Sequence, residues 1–437
     1  MSKIEKKTIS AAAAAAKINS GDTIYVTGGA TQPLAFLEAL GKRPGLTDVT
    51  VYSTYTIVPP DAMVRQSISG APVAARNPIF KTLLVGPGER HPVKMGAVQF
   101  VPIGAHDIAD LFKRERMDVI VVGCASEPLG DLLNISCSCA FTRSLLEVAA
   151  SREALILGEV NPQLPWCKGD TEISADLFDY LIHSDRAVPE SQADGSAGRE
   201  ALVMGGFLAG LVPDGATLHL GLGGLVAKAA AALKVKRNLG VHSDYLGEAM
   251  LSLFEKGAIN SSEKTFMPGM WVGSYVAGSR RLYNYVDRND SVQMHTLDFV
   301  ARLTNIARNK KMISITQASQ VDLSGQVAVL NDDFDSHGYL GVQHAFHRGA
   351  SLAEGGMGIL LLPTRSPESG DANIVARLSM GATVVIPSYD VDVVVSEHGV
   401  ARLRGKSMAQ RALDLIAISP PTGRSALMTE ARKLGFV

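Results

Sequence analysis

Cysteine is scarce in this chain, with four in 437 residues: Cys124, Cys137, Cys139 and Cys167. So few, so irregularly spaced, exclude a disulfide framework. Cys137-Ser-Cys139 and ten scattered histidines offer no metal-ligand spacing, so no metal is expected. Long apolar runs are missing too. None approaches the roughly 18 residues that a membrane-spanning helix needs. The charged start Met-Ser-Lys-Ile-Glu-Lys-Lys and the alanine run 11–16, cut off by Lys17, do not make a signal peptide and read as an N-terminal helix. A cytoplasmic protein without a membrane partner is the expectation. An excess of one charge sign is also lacking: 42 Lys and Arg face 43 Asp and Glu, a formal net charge of −1. That balance gives no electrostatic reason to expect nucleic acid. No Gly-x-Gly-x-x-Gly follows the first strand, which argues against a dinucleotide site. The segment Gly399-Val-Ala-Arg-Leu-Arg-Gly405-Lys-Ser407 places five residues between its glycines where a phosphate cradle needs four, which excludes a P-loop nucleotide triphosphatase.

Hydrophobic residues make up 46% of the chain and glycines number 42, enough for sizeable cores joined by tight turns. Apolar strands are predicted at 118–123, 154–160, 312–316, 358–362, 382–387 and 392–396, alternating with helices such as 108–113, 140–151 and 407–418. Continuous apolar strands between helices indicate largely parallel sheets, hence an α/β fold. An internal echo sharpens this. Gly21-Asp-Thr-Ile-Tyr-Val-Thr-Gly-Gly-Ala parallels Gly215-Ala-Thr-Leu-His-Leu-Gly-Leu-Gly-Gly, each a turn glycine, a strand, a glycine break and a helix. Two similar open α/β domains follow, 1–188 and 198–437, joined through the polar, aperiodic segment 186–199.

Ligands of such folds bind at the carboxyl ends of the strands. There the chain places Gly221-Leu-Gly-Gly224, whose free backbone N–H groups could hold an anion or a developing oxyanion. A second short strand, in Leu239-Gly-Val-His-Ser-Asp244, delivers a carboxylate beside it. Each patch also has a plain reading: a close-packed turn, a helix cap at Asp244, a polar loop over 341–349 and a solvated connection over 396–405. His242, Ser243 and Asp244 cannot form a triad among themselves, because successive strand residues face opposite ways.

Together these patches resemble the acetyl-CoA hydrolase / acetate (4-hydroxybutyrate) CoA-transferase family. The likeness runs through Gly28-Gly29, Glu159-Val-Asn-Pro162, Leu220-Gly-Leu-Gly-Gly224, Leu239-Gly-Val-His-Ser-Asp244, Val321-Asp-Leu-Ser-Gly-Gln-Val327, Phe346-His-Arg-Gly-Ala350 and Glu397-His-Gly-Val-Ala-Arg-Leu-Arg-Gly-Lys-Ser407. It implies CoA-transferase-like domains with an active site at their interface. It also implies a carboxylate nucleophile that passes through an acyl anhydride to a CoA thioester, and backbone N–H donors at Leu222 and Gly341. Glu397 would stand near the reacting centre. CoA would lie along Gly223, Gly224, Gly341, Val342 and Gln343, with Arg402 and Arg404 as phosphate partners, and Gly28, Gly29 and Thr31 would meet the substrate. Acyl-CoA and a small carboxylic acid are the implied partners, CoA being substrate and not a resident cofactor, and a homodimer is the implied assembly.

Three positions depart from the family pattern. Asp244 stands where glutamate is usual, Ala345 replaces an aspartate and Thr316 an asparagine. The lost methylene pulls the carboxylate back by about 1.5 Å, and a misplacement of ~1 Å can cost on the order of 10²-fold in rate. Transfer through Asp244, thioester hydrolysis with Asp244 activating water, and non-catalytic CoA binding all remain open, with a sugar-phosphate isomerase the weakest alternative. The three departures suggest an acid other than acetate; Tyr25, Phe36 and the aromatic segment 271–285 are compatible with a larger one or with simple packing.

Overall fold

The computed structural model describes residues 3–69, 77–127, 130–191, 198–329, 342–366 and 369–437. The chain divides into two compact units, Met1–Ser191 with Gly273–Asp298, and Gln192–Val272 with Phe299–Val437. The split near residue 191 lies close to the expected join. The second half is not one continuous unit, however, because Gly273–Asp298 returns to the first. Its anchors are specific: strand Val292–Met294 pairs with Lys168–Gly169, the Asp287 carboxylate accepts from Trp166 N at 2.7 Å, and Tyr283 Oη donates to Pro189 O at 2.8 Å. Such long-range pairing leaves no periodicity for a reader of the sequence to find.

In the first unit eight strands run parallel in the order Thr8–Ile9, Tyr180–His183, Leu155–Val160, Val119–Ser126, Thr23–Val26, Thr50–Ser53, Ile79–Thr82 and Val98–Phe100. Val119–Ser126 is buried over all but its last residue, as expected of a central strand covered on both faces. In the second unit Gly240–Val241, Thr217–Leu220, Met312–Gln317, Met357–Leu361 and Val393–Ser396 run parallel, and Gly399–Arg402 closes the edge antiparallel.

Taking each unit's glycine-terminated strand as reference, the next strand in sequence lies on one side and three later strands follow in chain order on the other. The internal echo is thus an echo of topology. Gly21 and Gly215, at φ +83° and +70°, open the equivalent strands. The expected buried strand at 382–387 needs correction: Thr383–Ile386 starts exposed and pairs antiparallel with Val327–Val329 in a separate four-stranded sheet. The reading of 341–349 as a polar loop also fails where it is described, since Val342–Leu352 is a helix that buries Phe346 and His347. Tyr25, Phe36, Trp271 and Tyr283 are buried in the core.

Lys264 is an ionisable group inside the second unit. Its Nζ donates to Val241 O and Met270 O, both at 2.7 Å, tying down the strand that leads to Asp244. Burial pushes the amine down to about 7. An unfolded lysine titrates near ~10.4, so between pH 7 and 10 the unfolded chain binds more protons and this group makes stability rise with pH. Buried thiols such as Cys124, pushed upward by burial, oppose this above ~8.5. A comparison with Lys264→Met over pH 7 to 8.5 isolates the lysine. Chemical denaturation should show wild type gaining stability on the variant as pH rises; a constant gap would mean that the folded amine stays charged.

Candidate active site

Period-two alternation along the strand Thr217–Leu220 turns Thr217, His219 and the following Gly221 to one side, and Ser314 and Thr316 share that side on the neighbouring strand. His219 is the register partner of Ser314, and Ser314 of Gly358. Helix Val342–Leu352 packs over these strands. Its Phe346 ring stacks on the His219 imidazole at 3.8 Å between centroids and 10° between planes. A polar layer is therefore sealed between sheet and helix.

Asp244 enters this layer from the side. Parallel pairing of Gly240–Val241 with Thr217–Leu220 brings His242 level with His219, and Asp244 lies two residues further on. Its Oδ1 stands 2.8 Å from His219 Nε2, and His219 Nδ1 stands 2.8 Å from Ser314 Oγ. Asp244 is only 4% exposed and His219 2%. A buried carboxylate is costly unless paired and hydrogen-bonded. With Asp244 ionised, Nε2–H donates to the carboxylate, and in a neutral imidazole Nδ1 accepts the Ser314 hydroxyl proton. The helix-cap reading of Asp244 does not hold: helix Glu248–Glu255 has Gly247 at its N-cap with no side-chain bond.

A second tier lies beside the first. Thr316 Oγ1 is 2.6 Å from His347 Nε2 and accepts from Gln343 Nε2 at 2.8 Å. Burial, with His219 and His344 nearby, pushes the His347 imidazole down to about 3, so it is neutral. Gly358 makes room for that ring, since a Cβ there would stand 2.4 Å from His347 Nδ1. Ahead of the layer, the backbone turns at Gly223, whose φ of +138° suits glycine. The turn and the segment after Asp244 face each other across a small cleft lined by Leu220, Gly221, Gly223, Tyr245 and Gly247 among others. Among the described residues no group of three or more His, Cys, Asp or Glu side chains could hold a metal ion, and no helix is long and apolar enough to cross a membrane.

Residues 1–190 match the family model for the acetyl-CoA hydrolase/transferase N-terminal domain, and 278–431 the model for its C-terminal domain. The 4-hydroxybutyrate coenzyme A transferase of Clostridium kluyveri is 34% identical over 80% of this chain and 81% of its own. The succinyl-CoA:cyclohexane-1-carboxylate CoA transferase of Geobacter metallireducens is 30% identical over 99% and 96%. The crystal structure of RipA from Yersinia pestis superposes with a TM-score of 0.88 over 100% of this chain and 99% of that one, at 24% identity, which speaks for the fold.

The chain belongs to the acetyl-CoA hydrolase/transferase family.

Its relatives mark it as an enzyme of the CoA-transferase kind. Of the residues that the family likeness singles out, Asp244, Leu222, Gly223 and Gly224 gather at one edge of the second unit's sheet, and Glu397 follows strand Val393–Ser396 at its carboxyl end. The Glu397 carboxylate accepts from Thr364 N at 3.0 Å and from the Thr364 hydroxyl. Val342 and Gln343 open the covering helix and are not loop residues; Gly341 lies outside the described residues.

Arg402 and Arg404 do not join this group. Arg402 is paired with Val393 at the start of its strand, about 13 Å of strand length from Glu397 at ~3.3 Å per residue. Arg404 is spent on Asp392, 2.7 Å from Nε, and on Ser351 O.

In the first unit, Gly28 and Gly29 are required by packing. A Cβ would lie 1.4 Å from Thr54 O at Gly28, and 1.7 Å from the Tyr275 hydroxyl at Gly29. Thr31 is buried, and its hydroxyl lies 3.0 Å from Gly28 O and 2.8 Å from Ser138 Oγ. These contacts fix the local backbone at all three positions.

His219, Ser314 and His347 are the functional candidates that the sequence reading missed. A polar residue alternating with leucines in Thr-Leu-His-Leu was the available signal, as was Ser314 between Ile313 and Ile315. Gly358→Ala should force His347 off Thr316 and lower the melting temperature by several degrees, an overpacking cost of about 1–3 kcal/mol; an unchanged thermal midpoint would show that the tier yields freely.

Proposed function

We propose that the enzyme moves CoA from an acyl-CoA to a free carboxylic acid, with Asp244 as the nucleophile. What supports this reading is the Asp244 carboxylate, buried, 2.8 Å from His219 Nε2 and beside the glycine turn. A water-poor carboxylate held by one hydrogen bond retains a second oxygen with which to attack.

Asp244 Oδ2 adds to the thioester carbonyl, and the resulting oxyanion is met by backbone N–H groups at Leu222 and Gly341. CoA thiolate leaves, an anhydride forms, and thiolate attack on the aspartyl carbonyl releases the first acid. The acceptor acid then reverses the sequence with itself as the acyl group. Glu397 stands by the reacting centre, and CoA runs along 223–224 and the start of the helix at Val342 and Gln343. The departures at Asp244, Thr316 and Ala345 favour an acid other than acetate, and the Thr316 hydroxyl is engaged by His347 and Gln343. In this reading the enzyme works as a cytoplasmic homodimer without a resident cofactor.

Borohydride added after acyl-CoA should reduce the aspartyl thioester to a primary alcohol at Asp244 and abolish activity; protein treated without acyl-CoA should survive. Asp244→Ala should lose transfer by more than ~10³-fold. Acyl-CoA consumption with no adduct at Asp244 would defeat the proposal.

A second reading has its own observation. The Asp244 carboxylate, with one oxygen not held by His219, can act as general base toward a water in the place of the missing methylene, which gives acyl-CoA hydrolysis. CoA release that ignores a panel of added acids favours hydrolysis; release that requires an acid eliminates it.

A further inference from the structure

We infer that His219 is a catalytic hydrogen-bond donor for the enzyme's own carbonyl, a second oxyanion site made by a side chain. The inference rests on the reading of Asp244 as nucleophile. Transfer through a carboxylate has two kinds of electrophilic carbon. One is the acyl carbon of the substrate, served by the main-chain amides of the glycine turn. The other is Cγ of Asp244, attacked once by CoA thiolate and once by the acceptor carboxylate. Each attack on Cγ forms one bond and puts a full negative charge on the oxygen that is not part of the anhydride or thioester linkage. If Oδ2 is the attacking atom, that oxygen is Oδ1.

Oδ1 is the atom held by His219 Nε2 at 2.8 Å. The charge then collapses, expelling the acyl carboxylate in the first case and CoA thiolate in the second. The imidazole proton stays on Nε2 throughout, so no acid or base need be supplied.

Three features make the donor preorganised. Ser314 Oγ, 2.8 Å from Nδ1, fixes the ring's far side. Phe346 stacks on the ring at 3.8 Å and blocks its rotation. The burial of His219 keeps water from competing for Oδ1. A preformed donor in a water-excluded site stabilises developing charge without reorganising. The ring is also too enclosed to serve as a base toward solvent, and its Nε2 already points at the carboxylate.

The experiment compares His219→Gln, which keeps an N–H donor, with His219→Leu, which removes it. Transfer of CoA to an acceptor acid and its loss to water are measured together. In the Leu variant the anhydride still forms but is slow to pass its acyl carboxylate to thiolate, so water intercepts it. Transfer should fall by about 10²–10³-fold, and the ratio of hydrolysis to transfer should rise at least ~10-fold, while His219→Gln keeps the wild-type ratio. An equal fall in both rates, or a Gln variant that partitions like the Leu variant, would overturn the inference, since loss of structure alone lowers both.

If His219→Leu is insoluble, Ser314→Ala takes its place. A raised ratio supports the proposal and a wild-type ratio rejects it. Wild-type enzyme that yields no borohydride-trapped adduct would remove the nucleophile reading and this inference together. A trapped adduct with unchanged partition removes this inference alone.

Discussion

A carboxylate taken out of water must be given partners, and the second unit is arranged around meeting that demand at Asp244. Strand pairing sets His219 beside Ser314, and the aligned strand Gly240–Val241 carries the chain two residues past His242 to the acid. Helix Val342–Leu352 then closes the layer with Phe346 against the imidazole. Remove the pairing and a carboxylate without its hydrogen-bond donor remains between sheet and helix, a far larger penalty than the net gain of making the bond. The same enclosure that makes the pair necessary makes it useful, since a dry carboxylate is a better nucleophile and a dry donor a stronger one.

Under the proposed function, an aspartate in place of the glutamate of the family likeness reads differently in this setting. A glutamate reaches further and can move; an aspartate is short and here fastened. The imidazole on the next strand is the fastening, and Thr316, His347 and Gln343 build a further tier next to it. Substitution at 244 therefore sits within a wider change in the chemistry under the glycine turn.

Much of the fold was legible in the chain. Buried strands such as Val119–Ser126 and Met312–Gln317 declare themselves as apolar runs, and the repeated glycine-strand-glycine pattern reports a topology shared by both units. The site was half legible. Glycines and the acid stood out because their local sequence is unusual. His219 and Ser314 did not, because what matters is their register across two strands about 95 residues apart. The places of Arg402 and Arg404 were hidden for the same reason: adjacency to Glu397 in sequence conceals an antiparallel return along the strand. The excursion of Gly273–Asp298 into the first unit was likewise invisible, since its hold comes from individual side chains such as Asp287 and Tyr283.

The two units share one more detail. In the first, Tyr25 is level with Tyr52 on the adjoining strand, and its hydroxyl reaches Thr54, two residues on, at 3.1 Å. In the second, His219 is level with His242 and reaches Asp244, also two residues on. One geometric slot thus recurs, filled by phenol and alcohol in one case and by imidazole and acid in the other. The backbone alone supplies the bridge, and the two ends set its chemistry: a neutral pair in the first unit, a titratable pair in the second.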